Sequence, residues 1–183
     1  MSELTLHVDP RRDHIQGPST APLQLVEYGD FECPYCGHAY YELEEVRERM
    51  RGRLCFVFRH FPLSRIHPHA MAAAEAAEAA GEQDKFWQMH NMLFENQESL
   101  EHWDLLHHAR VLHVDTQRFE DAMASHRNVS RIREHFRSGV VSGVNGTPTL
   151  FINGQRHDGG WDAPSVIAAL ERVLHGGRES RVW

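Results

Sequence analysis

Cys33 and Cys36 stand two residues apart in Cys33-Pro34-Tyr35-Cys36, after an apolar run and at the start of a segment with helical periodicity. Two cysteines at that spacing share one helical turn, so their sulfurs can approach within disulfide range. Cys33 lies nearer the helix end, among backbone N–H groups that have no partner within a helix. Those donors and the positive end of the helix dipole favour a thiolate over a thiol. Pro34 suits the first helical position, because it has no N–H to lose there and its φ is already near the helical value. The spacing is that of a redox switch. The third cysteine, Cys55, lies between Leu54 and Phe56 in an apolar run and is expected to be an inert core residue.

The same pair admits a second class of function, a binding module in which the cysteines hold zinc or sense redox state and change partners. Zinc content and insulin-reduction turnover separate the two. A third reading keeps the fold and turns the cysteines on peroxides or glutathione adducts. Fifteen histidines invite a metal, with His67-Pro68-His69, His107-His108 and Cys33/Cys36/His38 as the clusters. Zinc sites want four convergent ligands, usually as two pairs, and Pro-Tyr between the cysteines suits a redox helix better than a zinc knuckle. No metal or other cofactor is therefore expected.

Leu23 to Gly29 is nearly continuously apolar, as in a strand buried on both faces, and Glu27 is the acid within it. From Pro34 to about Arg51 the pattern is helical, with Tyr40, Leu43, Val46 and Met50 on one face. Leu54 to Phe61 is a second core strand stopped by Pro62. An earlier strand is expected on the alternation of Leu4, Leu6 and Val8.

From about His67 to Val141 no strand pattern occurs, and four or five helices are expected. The first is alanine-rich and stops at Gly81, and Asp115 and Asn128 look like N-caps of two others. Phe86, Trp87, Phe94 and Trp103 in this block are expected in its core. Asn153-Gly154 predicts a tight hairpin to Gln155-Arg156-His157. Asp162 caps a last helix whose apolar stripe ends at Gly176-Gly177. The order is β-α-β, a helical block, then β-β-α.

At 183 residues the chain has the size of one domain and can bury roughly 70% of the surface its unfolded form exposes. Apolar residues at 41% and charged residues at 25% argue against disorder and against a membrane span. A net charge of −7 argues against a nucleic-acid partner. Residues 1–16 carry Glu3, Asp9, Arg11, Arg12 and Asp13 with no continuous apolar core, so no secretory signal is read and a cytoplasmic location is expected.

Three stretches together resemble the DsbA-like branch of the thioredoxin superfamily, especially the single-domain members related to the domain attached to some NhaA-type antiporters. They are Glu27-Tyr28-Gly29-Asp30-Phe31-Glu32-Cys33-Pro34-Tyr35-Cys36, Phe58-Arg59-His60-Phe61-Pro62 and Gly143-Val144-Asn145-Gly146-Thr147-Pro148-Thr149. The resemblance implies an α/β thioredoxin fold with a helical insertion, core about 18–63 and 143–176 and insertion about 64–142, in one domain over 1–183. It implies thiol-disulfide exchange in which Cys33 attacks and Cys36 resolves, with Glu27 the buried acid that takes or returns a proton. Pro148 matches the family's cis-proline, and Pro34, Tyr35, Thr147 and Pro148 are the expected substrate contacts. Strongly oxidising DsbA proteins carry a histidine where Tyr35 stands, so a reductase or isomerase direction is expected. Expected partners are protein or peptide thiols and disulfides, with glutathione or a thioredoxin-type reductant as donor. A monomer without nucleic-acid partner or membrane insertion completes the expectation.

Overall fold

The computed structural model describes residues 2–179. Its strands are β1 (His14–Gln16), β2 (Leu23–Gly29), β3 (Leu54–His60), β4 (Thr149–Ile152) and β5 (Gln155–His157). The helices are α1 (Pro34–Arg49), α2 (Ala70–Gly81), α3 (Phe86–Glu95), α4 (His102–Val111), α5 (Thr116–Ala124), α6 (Val129–Val141) and α7 (Ala163–Glu179). The strands form one sheet in the order β1-β3-β2-β4-β5, with β1 antiparallel to β3, β2 to β4, and β4 to β5. The architecture is the thioredoxin-like α/β fold read from the sequence, with the helical block between its two halves.

The turn chemistry behaves as the residue types require. Asn153 and Gly154 both have positive φ, 46° and 84°, as a two-residue turn matching strand twist demands, and they join β4 to β5. Asp115 accepts the Arg118 N–H at 3.1 Å and caps α5, and Asp162 accepts the Ser165 N–H at 3.0 Å at the start of α7. Three expectations fail. Leu4, Leu6 and Val8 form no strand, because the carbonyls of Leu6 and His7 accept from the Arg59 guanidinium instead of from a neighbouring strand. The first strand is β1, and Glu3 makes an isolated bridge to Gln155. α2 takes in Gly81 and the chain turns instead at Asp84, whose φ is 59°. α7 runs through Gly176 and Gly177 to Glu179, since a glycine near a helix end costs only about 1 kcal/mol relative to alanine.

The chain divides into two compact units. The first takes residues 2–28, His38–Arg59 and residues 138–179. Its core is built on the sheet, with Leu23, Leu25, Val26, Tyr28, Val57, Phe58 and Phe151 buried together with Val46, Val166 and Leu170 of the helices. Inside it Arg59 is fully buried and holds Asp13 through two bonds, Nε to Oδ1 at 2.9 Å and Nη2 to Oδ2 at 3.0 Å. Arg59 Nη1 donates to the Tyr28 hydroxyl at 3.0 Å and to the Leu6 carbonyl at 2.8 Å. Burial alone would lower the Arg59 pKa, but these bonds and the Asp13 and Tyr28 charges outweigh it and raise the pKa.

The second unit is Gly29–Gly37 and His60–Arg137, so it contains the cysteine motif and most of the helical block. Alanine side chains at 73, 74, 76, 77, 79 and 80 are buried, which lets the backbone of α2 lie close to its neighbours α3, α4 and α5. Met89, Leu93, Phe119 and Ile132 fill the remaining core.

Candidate active site

Cys33 is the residue before α1, and its carbonyl accepts the first helical bond from the Gly37 N–H at 3.0 Å. Pro34 therefore occupies the first helical position, where its missing N–H costs nothing. Cys33 and Cys36 are both buried, while Tyr35 between them is 64% exposed. The helix start thus presents an aromatic ring to solvent beside a sheltered cysteine pair.

Two side chains brace this turn, and neither was singled out from the sequence. Asp30 is buried and fully used. Its Oδ1 accepts the Glu32 N–H at 2.9 Å, and its Oδ2 accepts the Leu63 N–H at 2.8 Å and bonds His67 Nδ1 at 2.7 Å. Its carbonyl accepts the Cys33 N–H at 3.1 Å, and its own N–H points at Cys36 Sγ at 3.5 Å. One residue thus ties both cysteines to the segment after β3. Gln97 closes the other side, its Nε2 donating to the carbonyls of Phe31 at 2.7 Å and Cys33 at 2.9 Å. Gly37 leaves room for it, because a Cβ there would lie 2.0 Å from Gln97 Oε1. The sequence signal was weak in both cases: an aspartate before a motif and a loop glutamine look like solvent residues until a carbonyl or an N–H is found to need them.

Glu27 is buried on β2, opposite Leu150 of β4. Its charge acts on Arg47 of α1. Burial lowers the Arg47 pKa, and the charges of Glu27 and Tyr40 oppose that shift. Arg47 also bonds Gln16 and Glu44 and lies 5.0 Å over the Phe56 ring. The Thr147–Pro148 peptide is cis. Pro148, Leu150, His157 and Trp161 help line a cavity of about 190 Å³ in the first unit.

Cys55 is buried in β3, and burial raises its thiol pKa, with the Asp13 charge adding to the shift. Phe86 and Phe94 are core residues as expected, but Trp103 is 74% exposed and Trp87 half-buried, because helical spacing alone does not say which face of α3 or α4 is covered. Among the histidine clusters, His67 is engaged by Asp30, His108 Nε2 bonds the Ser99 carbonyl at 3.0 Å, and the His38 ring lies 6.5 Å from that of Trp161.

A thioredoxin-like sheet followed by a cysteine pair at a helix start defines the class, and residues 10–172 match the family described as Thioredoxin. The chain belongs to that family. It is 45% identical over 176 residues to the Na(+)/H(+) antiporter NhaA 1 of Salinispora arenicola, an alignment covering 96% of this chain and 27% of that protein. It is 46% identical over 166 residues to the Na(+)/H(+) antiporter NhaA 1 of a Mycobacterium species, covering 90% and 27%. The chain thus spans about a quarter of the length of these relatives.

Among solved structures, BdbD from Bacillus subtilis superposes with a TM-score of 0.83 at 20% identity, covering 96% of this chain and 100% of that one. A thioredoxin-like oxidoreductase from Silicibacter pomeroyi gives 0.79 at 23% identity, covering 93% and 94%. Alpha-DsbA1 from Wolbachia pipientis gives 0.80 at 18% identity, covering 97% of each. The fold is the DsbA-like form of the thioredoxin fold.

Proposed function

We propose that the chain is a thiol-disulfide oxidoreductase acting on protein or peptide disulfides. The observation that carries the reading is Cys33-Pro34-Tyr35-Cys36 at the first turn of α1 in a thioredoxin-family chain. In the proposed cycle the Cys33 thiolate attacks a substrate disulfide, forming a mixed disulfide and expelling one substrate thiolate, which takes a proton. Glu27 accepts the Cys36 proton, and Cys36 attacks Cys33 Sγ. This releases the second substrate thiol and leaves a Cys33–Cys36 disulfide, so two electrons pass from the dithiol to the substrate. A buried carboxylate suits the proton step because burial favours its neutral form and makes it a better base than an exposed one. Thr147 and Pro148, with Pro34 and Tyr35, are the proposed substrate contacts.

Tyr35 sets the direction. A neutral phenol gives the Cys33 thiolate less support than an imidazolium would, so the reduced form is favoured less strongly. The potential then falls at roughly −150 to −250 mV, between the thioredoxin and DsbA ends of the scale. In a glutathione-buffered cytoplasm, with glutathione or a thioredoxin-type protein as donor, a monomer of that potential works as a reductase or isomerase. Antiport is not assigned to this chain, which spans a quarter of the antiporter relatives. Among the described residues no helix is long and apolar enough to cross a membrane.

The test is insulin reduction by the purified chain with glutathione as donor, together with the dithiol fraction at defined glutathione ratios. Turnover that vanishes in Cys33→Ser, and mixed disulfides that accumulate in Cys36→Ala, support the reading. Turnover that survives Cys33→Ser overturns it. Glu27→Gln is expected to slow resolution of the mixed disulfide without slowing its formation.

A further inference from the structure

We propose that His60, Glu78 and His135 form an internal site for a divalent transition-metal ion such as zinc, built from none of the residues of the cysteine motif. The three come from the end of β3, from α2 and from α6, and all lie in the second unit. Their side chains bring one ligand atom each to within 4.8 Å of one another, and the residues are 1%, 3% and 0% exposed. Two imidazoles and one carboxylate are a donor set that zinc takes in sites keeping a fourth position for water or another ligand.

The contacts already resemble a site closed on a proton instead of a metal. His60 Nε2 lies 2.8 Å from Glu78 Oε1, so the two share a proton, and a cation bound between them takes that proton's place. Zinc bonds of about 2.0–2.2 Å set tetrahedral ligand atoms about 3.3–3.5 Å apart, between the 2.8 Å of this pair and the 4.8 Å limit of the set. Small side-chain rotations suffice. The His60 and His135 rings are stacked, 5.7 Å apart and inclined by 21°. The bond from the His60 N–H to His135 Nδ1 is long at 3.4 Å and yields easily to a stronger ligand interaction.

The surroundings also suit an ion. The His60 ring contacts the rings of Phe31 at 5.9 Å and Phe86 at 5.8 Å, an apolar wall that excludes water. Arg131 places Nε 3.2 Å from Glu78 Oε1, and its side chain is 32% exposed. It supplies Glu78 with positive charge from the rim, and it can withdraw to solvent when an ion supplies that charge.

The test uses the full chain carrying Cys33→Ser and Cys36→Ser, so that the motif thiols cannot bind the ion. Zinc sulfate alone is titrated against a chromogenic chelator, and thermal unfolding is followed in parallel. The expected result is one zinc per chain, a rise of several degrees in Tm, and at least a 100-fold loss of affinity in His135→Gln and in Glu78→Gln. Because those variants can misfold, X-ray absorption on the zinc-loaded parent gives the ligands directly, and two imidazoles with a light oxygen donor are expected. No zinc bound at 100 µM by the folded parent overturns the proposal. So does zinc held by sulfur, or zinc whose affinity is unchanged in a folded His60→Asn/His135→Gln double variant.

Discussion

At the scale of single residues, the two halves of the cysteine problem have different physical origins. Cys33 gains from the helix start, whereas Cys55 loses from burial, which raises its thiol pKa. Alkylation near neutral pH, followed by mass spectrometry, should therefore label Cys33 at least 10-fold faster than Cys55. Comparable rates would remove Cys33 from the attacking role. Gly37 and Gln97 make a second, linked prediction. The Gln97 amide is the flexible end of its side chain, so Gly37→Ala should leave the fold intact while displacing the amide that bonds the Phe31 and Cys33 carbonyls. Gly37→Ala and Gln97→Leu should each slow disulfide exchange about 10-fold, and the double variant no further, because both remove the same two bonds. Additive losses would show that the glycine has another role. The cysteine pair stood out in the sequence because its chemistry is tied to residue type and spacing, whereas Glu27 was singled out through the family resemblance. Asp30, Gln97 and Arg47 were not, because their roles depend on backbone groups and charges brought near them only by the fold.

At the scale of elements, the strands and most helices followed from apolar period and punctuation, and the failed first strand traces to one residue. Arg59 reads as a polar interruption in a core strand, yet it is fully buried and draws Leu6, His7 and Asp13 onto β3, which consumes the carbonyls a strand at residues 4–8 would have needed. A two-residue alternation is therefore a weak warrant where a buried guanidinium competes for the same acceptors. Replacing Arg59 by methionine strands the Asp13 carboxylate, whose side chain is fully buried. Removing one partner of a buried pair costs about 3–5 kcal/mol. Arg12, 3.6 Å from the same carboxylate, compensates in part, so urea unfolding should show a loss near 3 kcal/mol. The double variant Arg59→Met/Asp13→Leu should recover most of it, since an apolar pair of similar volume replaces a desolvated ion pair at little net cost. A double variant no more stable than Arg59→Met would place the loss in the Tyr28 and Leu6 bonds instead.

At the scale of the whole molecule, charge decides which disulfides arrive fastest. The chain carries a net charge of −7 with its histidines neutral, and fifteen histidines stand ready to change that. Four of them, His60, His90, His108 and His135, are buried. The isoelectric point of the sequence is about 6.1, so the molecule passes through neutrality near pH 6. Above that point the field of the protein attracts cations and repels anions over a Debye length of about 10 Å at 0.1 M salt. The oxidation of the dithiol at pH 7.5 and low salt should therefore be several-fold faster with cystamine, a dication, than with glutathione disulfide, after each rate is divided by its value at 1 M salt. Dividing by the high-salt rate removes the intrinsic reactivity of the two reagents and leaves the electrostatic part. Near pH 6 the normalised ratio should fall to about one. A ratio that is flat across this range would mean that charges beside Cys33, and not the net charge of the chain, govern the approach of substrate.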